Sequence, residues 1–272
     1  MAKKKAPAKA TKPNDPDFMV SLARGLSVIR AFGDGQEPLS VADVAKLTTL
    51  SRAASRRCLH TLSVLGYANR VNGTYELTPA VLALGSAYVG STALARSAQP
   101  VLERVSEQLH ESSSMAVLDG DEIVYVARAA TRRILSIGLS VGTRLPAYCT
   151  SMGRILLSAL DDDTLKRYLA RVRLVAHTPR TITDRADLKT MLERVRTRGF
   201  ALVDQELELG LRSVAVPVQG PHGHIVAAIN VGVHVGRGDG KLLEREFVPL
   251  LRDAADEISS MLTPSRIDPR KK

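Results

Sequence analysis

The dipeptide Asn72-Gly73 constrains this chain more than any other feature of its sequence. Asn-Gly supplies two adjacent residues that tolerate positive φ, as a two-residue hairpin turn demands. It stands between two short strand-like runs, Tyr67-to-Val71 and Thr74-to-Leu77. The stretch ahead of it is helical in pattern. "SLARGLSVIRAF" spaces Leu22, Leu26, Ile29 and Phe32 for one amphipathic helix, which "GDGQEP" ends. "LSVADVAKLT" offers Ser40 as N-cap with Asp43 three residues on, and Val41, Val44, Ala45 and Leu47 as a buried side. "SRAASRRCLHTLSVLGY" takes Ser51 as its cap, turns Ala54, Cys58, Leu59, Leu62 and Leu65 inward, and stops at Gly66. Three short helices closed by a small hairpin predict a winged helix-turn-helix.

The charge agrees with that expectation. The chain carries a net charge of +10 over 272 residues, but residues 1–72 hold 12 Lys/Arg against 5 Asp/Glu while the remaining 200 are nearly balanced. A basic first module before a near-neutral body points to a polyanionic partner. On the third helix, starting from Ser51, the residues Arg52, Ala53, Ser55, Arg56, Arg57 and His60 are expected to face outward. Arginines at the start of such a helix can fork onto guanine edges or clamp phosphate in the major groove. Arg70 in the wing is placed for a backbone contact.

Beyond Pro79 the run to about residue 112 reads as a connecting helix and then a second helix, interrupted near Gly85, Gly90 and Pro100. Strand and helix patterns then alternate: a strand pair around Asp119-Gly120-Asp121, a strand and loop in "RILSIGLSVGTRLPA", three helices ending at Gly199, strands around "GPHG" and a closing helix. That is an α+β arrangement with an antiparallel sheet flanked by helices. No apolar run approaches the roughly 18–20 residues of a membrane span. The lysine-rich start has no apolar segment behind it, and Cys58 and Cys149 suit neither a disulfide framework nor a metal site. The expected location is the cytoplasm.

The segment "LPAYCTSMGRILLSAL" carries the chemistry of the second half. Read as an enzyme, Cys149 would be a nucleophile, but none of His60, His110, His177, His222, His224 and His234 lies in a catalytic signature, and "PHGH" reads as a turn rather than a metal pair. Read as a sensor, Thr150 or Ser151 caps a helix beginning near Met152. Its free N–H groups through Gly153 then make a carboxylate seat, with Tyr148, Cys149 and Met152 as walls. Arg154 one turn in either reaches an anion or faces solvent, and Arg128 after "EIVYVAR" is a second cation. No enzymatic activity, cofactor or metal is expected.

The chain resembles the IclR family of bacterial transcription regulators over about residues 20–264. The resemblance rests on "SLARGLSVIRAF", "LGYANRVNGTYELTP", "GTRLPAYCTSMGRILLSAL" and "RGFALVDQELELGLRSVAVPV". "SRAASRRCLHTL" with "LPAYCTSMGR" is most similar to the branch controlling aromatic-acid catabolism, and Arg56, uncharged in many relatives outside it, agrees. The resemblance implies a winged helix, a linker helix and a GAF-like α/β effector-binding domain, in dimers that can pair into tetramers. It implies double-stranded operator DNA and a small carboxylate as partners, with protocatechuate, 4-hydroxybenzoate or β-ketoadipate as effector. It also sets part of the pocket wall on "DQELELGLRS" and "IVAAINVGV", bringing in Asp204, Glu206, Ser213 and Asn230; Asp204 then binds a hydroxyl or holds a structural hydrogen bond. The expected divisions are a basic disordered tail (1–18), the winged helix (19–79), the linker (80–96), the effector domain (97–265) and a basic tail (266–272).

Overall fold

The computed structural model describes residues 16–34, 38–85, 93–131 and 139–262. Most of the expected N-terminal tail, the middle of the expected linker, the first part of the strand and loop expected in "RILSIGLSVGTRLPA" and the C-terminal tail lie outside the described residues. The chain divides into two compact units, Met1–Tyr88 and Val89–Lys272.

The first unit holds helices α1 (Val20–Ala31), α2 (Val41–Thr48) and α3 (Arg52–Val64) and strands β1 (Leu39–Ser40), β2 (Ala68–Val71) and β3 (Thr74–Leu77). The capping box at α2 forms: the Ser40 hydroxyl accepts from Asp43 N–H, and Asp43 accepts from Ser40 N–H. Thr49 turns the chain with φ 57°, and Ser51 caps α3 by accepting from Ala54 N–H. Between β2 and β3 the turn sits at Asn72 (φ 50°) and Gly73 (φ 86°), so the hairpin is a tight two-residue one, with Arg70 opposite Tyr75. Val28, Phe32, Leu39, Val44, Leu59, Leu62, Ala68 and Tyr75 form the core.

Two parts of the expected inner faces are corrected. Leu22 and Leu26 are exposed, because α1 packs by its second half through Val28 and Phe32. Leu65 and, marginally, Leu47 are also exposed, lying at helix ends beyond the packed turns.

The second unit is built on a six-stranded antiparallel sheet. Its strands are β4 (Ser112–Asp119), β5 (Glu122–Ala129), β6 (Arg144–Pro146), β7 (Ala201–Asp204), β8 (Leu211–Gln219) and β9 (Ile225–His234), in the order β6-β5-β4-β9-β8-β7. Helices α4 (Ala93–Leu109) and α8 (Val248–Leu262) cover one face. Helices α5 (Ser151–Ser158), α6 (Asp162–Arg171) and α7 (Arg185–Arg198) cover the other. Because both faces are buried, "SVAVPV" and "VAAINVGV" read as nearly continuous apolar runs. Val214, Val216, Ile229 and Val231 point toward α4 and α8, while Ala215 and Ala228 point toward α5. Helix α4 runs through Pro100 instead of breaking there. Proline lacks only one N–H, and Ala98, Val101 and Leu102 on either side of it are buried against the sheet.

The two faces differ in side-chain volume. Toward α4 and α8 the central strands present branched residues; toward α5 they present Ala116, Ala215 and Ala228, then Ser112, Ser114, Ser213, Asn230 and Gly232. Ile229→Ala removes volume from the fully packed face only, and should lower unfolding free energy by about 2–5 kcal/mol in urea titration.

Candidate functional site

On α3, Arg52, Ala53, Arg56, Arg57 and His60 are exposed as expected, and among the described residues none of the three arginines has a carboxylate partner. Ser51 is exposed, with its hydroxyl engaged in the cap. Ser55 corrects the expectation: it is fully buried, its hydroxyl without a partner, since the helix turns position 55 inward together with Leu59 and Leu62. Arg70 stands over the Tyr75 ring at 6.0 Å, which holds its charge on the wing. The unit thus presents one basic helix face beside a basic wing.

The second unit encloses a cavity of about 280 Å³ over the small-residue face of the sheet. Strand register orders its floor. Arg128 pairs across to Ser114, Ser114 to Asn230, and Asn230 to Ala215; the next row is Ser112, Gly232 and Ser213. His234 follows along β9, opposite Leu211. One wall is Cys149, Thr150, Ser151 and Met152; the other is the turn from Leu207 to Leu211. Tyr125, Leu139 and Leu145 close the β5 side.

Arg128 is the cation of this cavity. Its Nη1 donates to Ser114 Oγ at 3.0 Å, while its buried Nε has no partner. Burial pushes its pKa down, and among the described residues no carboxylate pairs with it. Tyr125, pushed up to about 12 by burial, stays a neutral phenol beside it. Tyr125 and Arg128 are three residues apart and would point to opposite faces of a regular strand. Here Ala116 pairs with Tyr125 and Met115 with Ala127, so Val126 is a bulge and both side chains face the cavity.

The start of α5 differs from the expectation in detail. Thr150 is the cap: its hydroxyl accepts from Gly153 N–H at 3.2 Å and donates to Pro146 O. Gly153 does not line the cavity; a Cβ there would lie 2.1 Å from Ala147 O, so the helix abuts the loop before it. What remains for a ligand is the Ser151 hydroxyl, buried and without a partner, and the first backbone N–H groups.

Tyr148, Arg154, Asp204 and Glu206 also lie off the cavity lining. Tyr148 turns away, donating to Val175 O, accepting from Val175 N–H and stacking on His177. Arg154 neither reaches an open anion seat nor faces solvent: it is 1% exposed and paired with Glu206 at 2.6 Å. Asp204 ends β7 and pairs with Arg180 and Arg212. Against the opposing effect of its partial burial, hydrogen bonds from Arg212 and Gln205 hold its carboxyl below the usual range. Glu206 follows in a turn that Gln205 enters with φ 63°, so the two carboxylates do not share one extended side.

Sequence reasoning missed Ser112, Ser114, Tyr125 and His234. Alternation along β4 and β9, counted from Asn230, would have found all but Tyr125, which the bulge hides. Cys149 lines the cavity with its thiol pushed up to about 12 by burial, the Arg154 charge opposing. A thiol so placed is not a nucleophile near neutral pH. Among the described residues no cluster of His, Cys, Asp and Glu could hold a metal, and no helix is long and apolar enough to cross a membrane.

Comparison with known proteins gives the following matches. Residues 86–260 match the family model for the bacterial transcriptional regulator IclR C-terminal domain, and residues 21–71 that for the IclR helix-turn-helix domain. The Pca regulon regulatory protein of Pseudomonas putida is 54% identical over 91% of this chain and 86% of its own. The p-hydroxybenzoate hydroxylase transcriptional activator of Acinetobacter baylyi is 37% identical over 90% and 93%. Among solved structures, an IclR homolog from Microbacterium hydrocarbonoxydans complexed with 4-hydroxybenzoate superposes with a TM-score of 0.77 at 25% identity, covering 89% of this chain and 98% of that one. The state of Cys149 gives a direct check on the site: at pH 8 it should resist iodoacetamide in the folded protein and react after denaturation, read by peptide mass spectrometry.

Proposed function

The chain belongs to the IclR family of bacterial transcriptional regulators, and on that premise we propose that a small carboxylic acid of aromatic catabolism binds in the cavity under α5 and sets its affinity for operator DNA. The chain is a DNA-binding transcription regulator of the kind that controls aromatic-acid genes, and not an enzyme. The observation that carries the reading is Arg128. It is a cation with an unsatisfied Nε, facing a cavity whose other lining residues are mostly small polar and aliphatic, with Tyr125, Glu208 and His234 among them. A carboxylate supplies both the charge and the acceptor that this guanidinium lacks. The cavity suits one ring or a short chain, being near the lower limit of about 300 Å³ for small-molecule pockets.

We assign the carboxylate to Arg128 and Ser114, and the ring to Met152, Leu145 and Leu207. The Ser151 hydroxyl and the start of α5 take the far polar group: the hydroxyl of 4-hydroxybenzoate or protocatechuate, or the second carboxylate of β-ketoadipate. Asn230 and Ser213 on the floor complete the polar contacts. The name of the Pseudomonas relative and the ligand of the Microbacterium structure support this class of effector. Calorimetry with the three acids should give binding in the micromolar range for at least one. Arg128→Met should weaken it at least 30-fold and Ser151→Ala about three- to tenfold; unchanged affinity in Arg128→Met would remove the carboxylate from this end.

For DNA we assign Arg52, Arg56, Arg57 and His60 on α3 to the major groove and Arg70 to phosphate. Two chains then match an inverted-repeat operator. The exposed Met19, Leu22 and Leu26 near the start of α1 favour pairing of two copies, and the site of action is the cytoplasm. Gel shifts on upstream intergenic DNA should show two chains per site. Arg52→Ala and Arg56→Ala should each cost about 1–3 kcal/mol, and Arg70→Ala should weaken all sequences alike and lower the salt slope by about 1.

A further inference from the structure

We propose that Arg154 and Glu206, which do not touch the cavity, are positioning residues that fix its width; this rests on reading the cavity as the effector site. Their ion pair is 2.6 Å long, with side chains 1% and 9% exposed. A buried pair is a costly way to fill space, since apolar side chains of similar volume are often at least as stabilising. What the pair holds together explains its use here.

Three segments meet at it. From α5, Arg154 Nε donates to Tyr148 O at 3.0 Å, fixing the loop that leads into the Thr150 cap. The Glu206 carboxylate accepts from Ile182 N–H at 3.1 Å as well as from Arg154. The same 178–182 segment reaches back: Thr181 Oγ1 donates to Glu206 O at 2.6 Å, and Thr178 Oγ1 to Gln205 O at 2.7 Å. The pair therefore joins the helix start that forms one wall to the base of the turn that forms the other.

That turn keeps its own shape. Gln205 N–H donates to Leu211 O at 2.8 Å, and Gly210 N–H to Gln205 Oε1 at 3.1 Å, with positive φ at Gln205 and Gly210. Its internal form is local, but its distance from α5 is set at Glu206, the residue immediately before the lining residue Leu207. Pairing has a second effect. It neutralises a carboxylate that would otherwise stand one residue from a site for an anion.

The test uses the full chain with 4-hydroxybenzoate, protocatechuate and β-ketoadipate as probes. Glu206→Gln keeps the acceptor for Ile182 and removes the charge; Arg154→Met with Glu206→Leu replaces the pair by apolar side chains. Three quantities are measured: acid affinity by calorimetry at 20 °C, amide hydrogen exchange of 207–211 without ligand, and Tm. The expected result is affinity at least tenfold weaker and exchange at least tenfold faster in both variants, with the Tm of the double variant near that of the parent chain. Unchanged exchange overturns the proposal, as does unchanged affinity for an acid the parent binds; a lower Tm with both unchanged marks a pair that serves stability alone. Should the double variant not fold, Glu206→Gln decides by the same readouts. If the parent binds none of the acids, the effector reading fails, and exchange alone still decides whether the pair holds the turn.

Discussion

A sheet buried on both faces has to satisfy two packing problems with one alternating sequence, and the rest of the second unit follows from how this chain does so. Toward α4 and α8, the central strands carry valine and isoleucine, and the face is filled. Toward α5 the same strands carry alanine, serine, asparagine and glycine, which cannot fill the space up to a helix packed against them. Interiors are close-packed, so an unfilled volume of about 280 Å³ with apolar walls and several convergent polar groups has the character of a binding site rather than a packing fault. The cavity is thus written into the sheet by residue size, before any particular polar contact is considered.

Charge is distributed with the same economy. Most arginines of the second unit are spoken for: Arg144 by Asp119 and Glu122, Arg171 by Asp121, Arg180 and Arg212 by Asp204, Arg198 by Glu244, Arg154 by Glu206. Among the described arginines that have no carboxylate partner, Arg128 lines the cavity and Arg52, Arg56 and Arg57 stand exposed on α3. Of these four, only Arg128 keeps a buried guanidinium nitrogen without a partner.

The first unit was almost wholly legible in the sequence, because its signals are local: Asn72-Gly73 requires one turn type, and Ser40 with Asp43 and Ser51 alone mark two helix starts. Where reading failed there, it failed on faces. Helical spacing nominates Leu22 and Leu26 for burial, but only packing decides which part of an amphipathic stripe is covered. Ser55 was misplaced outward because a serine among arginines looks like surface. In the second unit the segment from Cys149 to Met152 was found, and of the two roles open to Asp204 it holds the structural hydrogen bond, while Arg154 takes neither role expected of it and Glu206 lies off the pocket wall. Sequence shows that a charged residue lies near a site, and not that another charged residue 52 positions on has already claimed it.

The extra residue in β5 has a consequence for how such chains can vary. Val126 adds one side chain to the filled core while the residues on either side keep their partners on β4. A shortened strand lacking that position would still set Tyr125 opposite Ala116 and Arg128 opposite Ser114. The cation of the cavity is therefore insulated from a one-residue change in length at this point, a change that elsewhere in a strand would send it to the opposite face. Length variation in this hairpin is a place where relatives can diverge without exchanging the chemistry of what they bind.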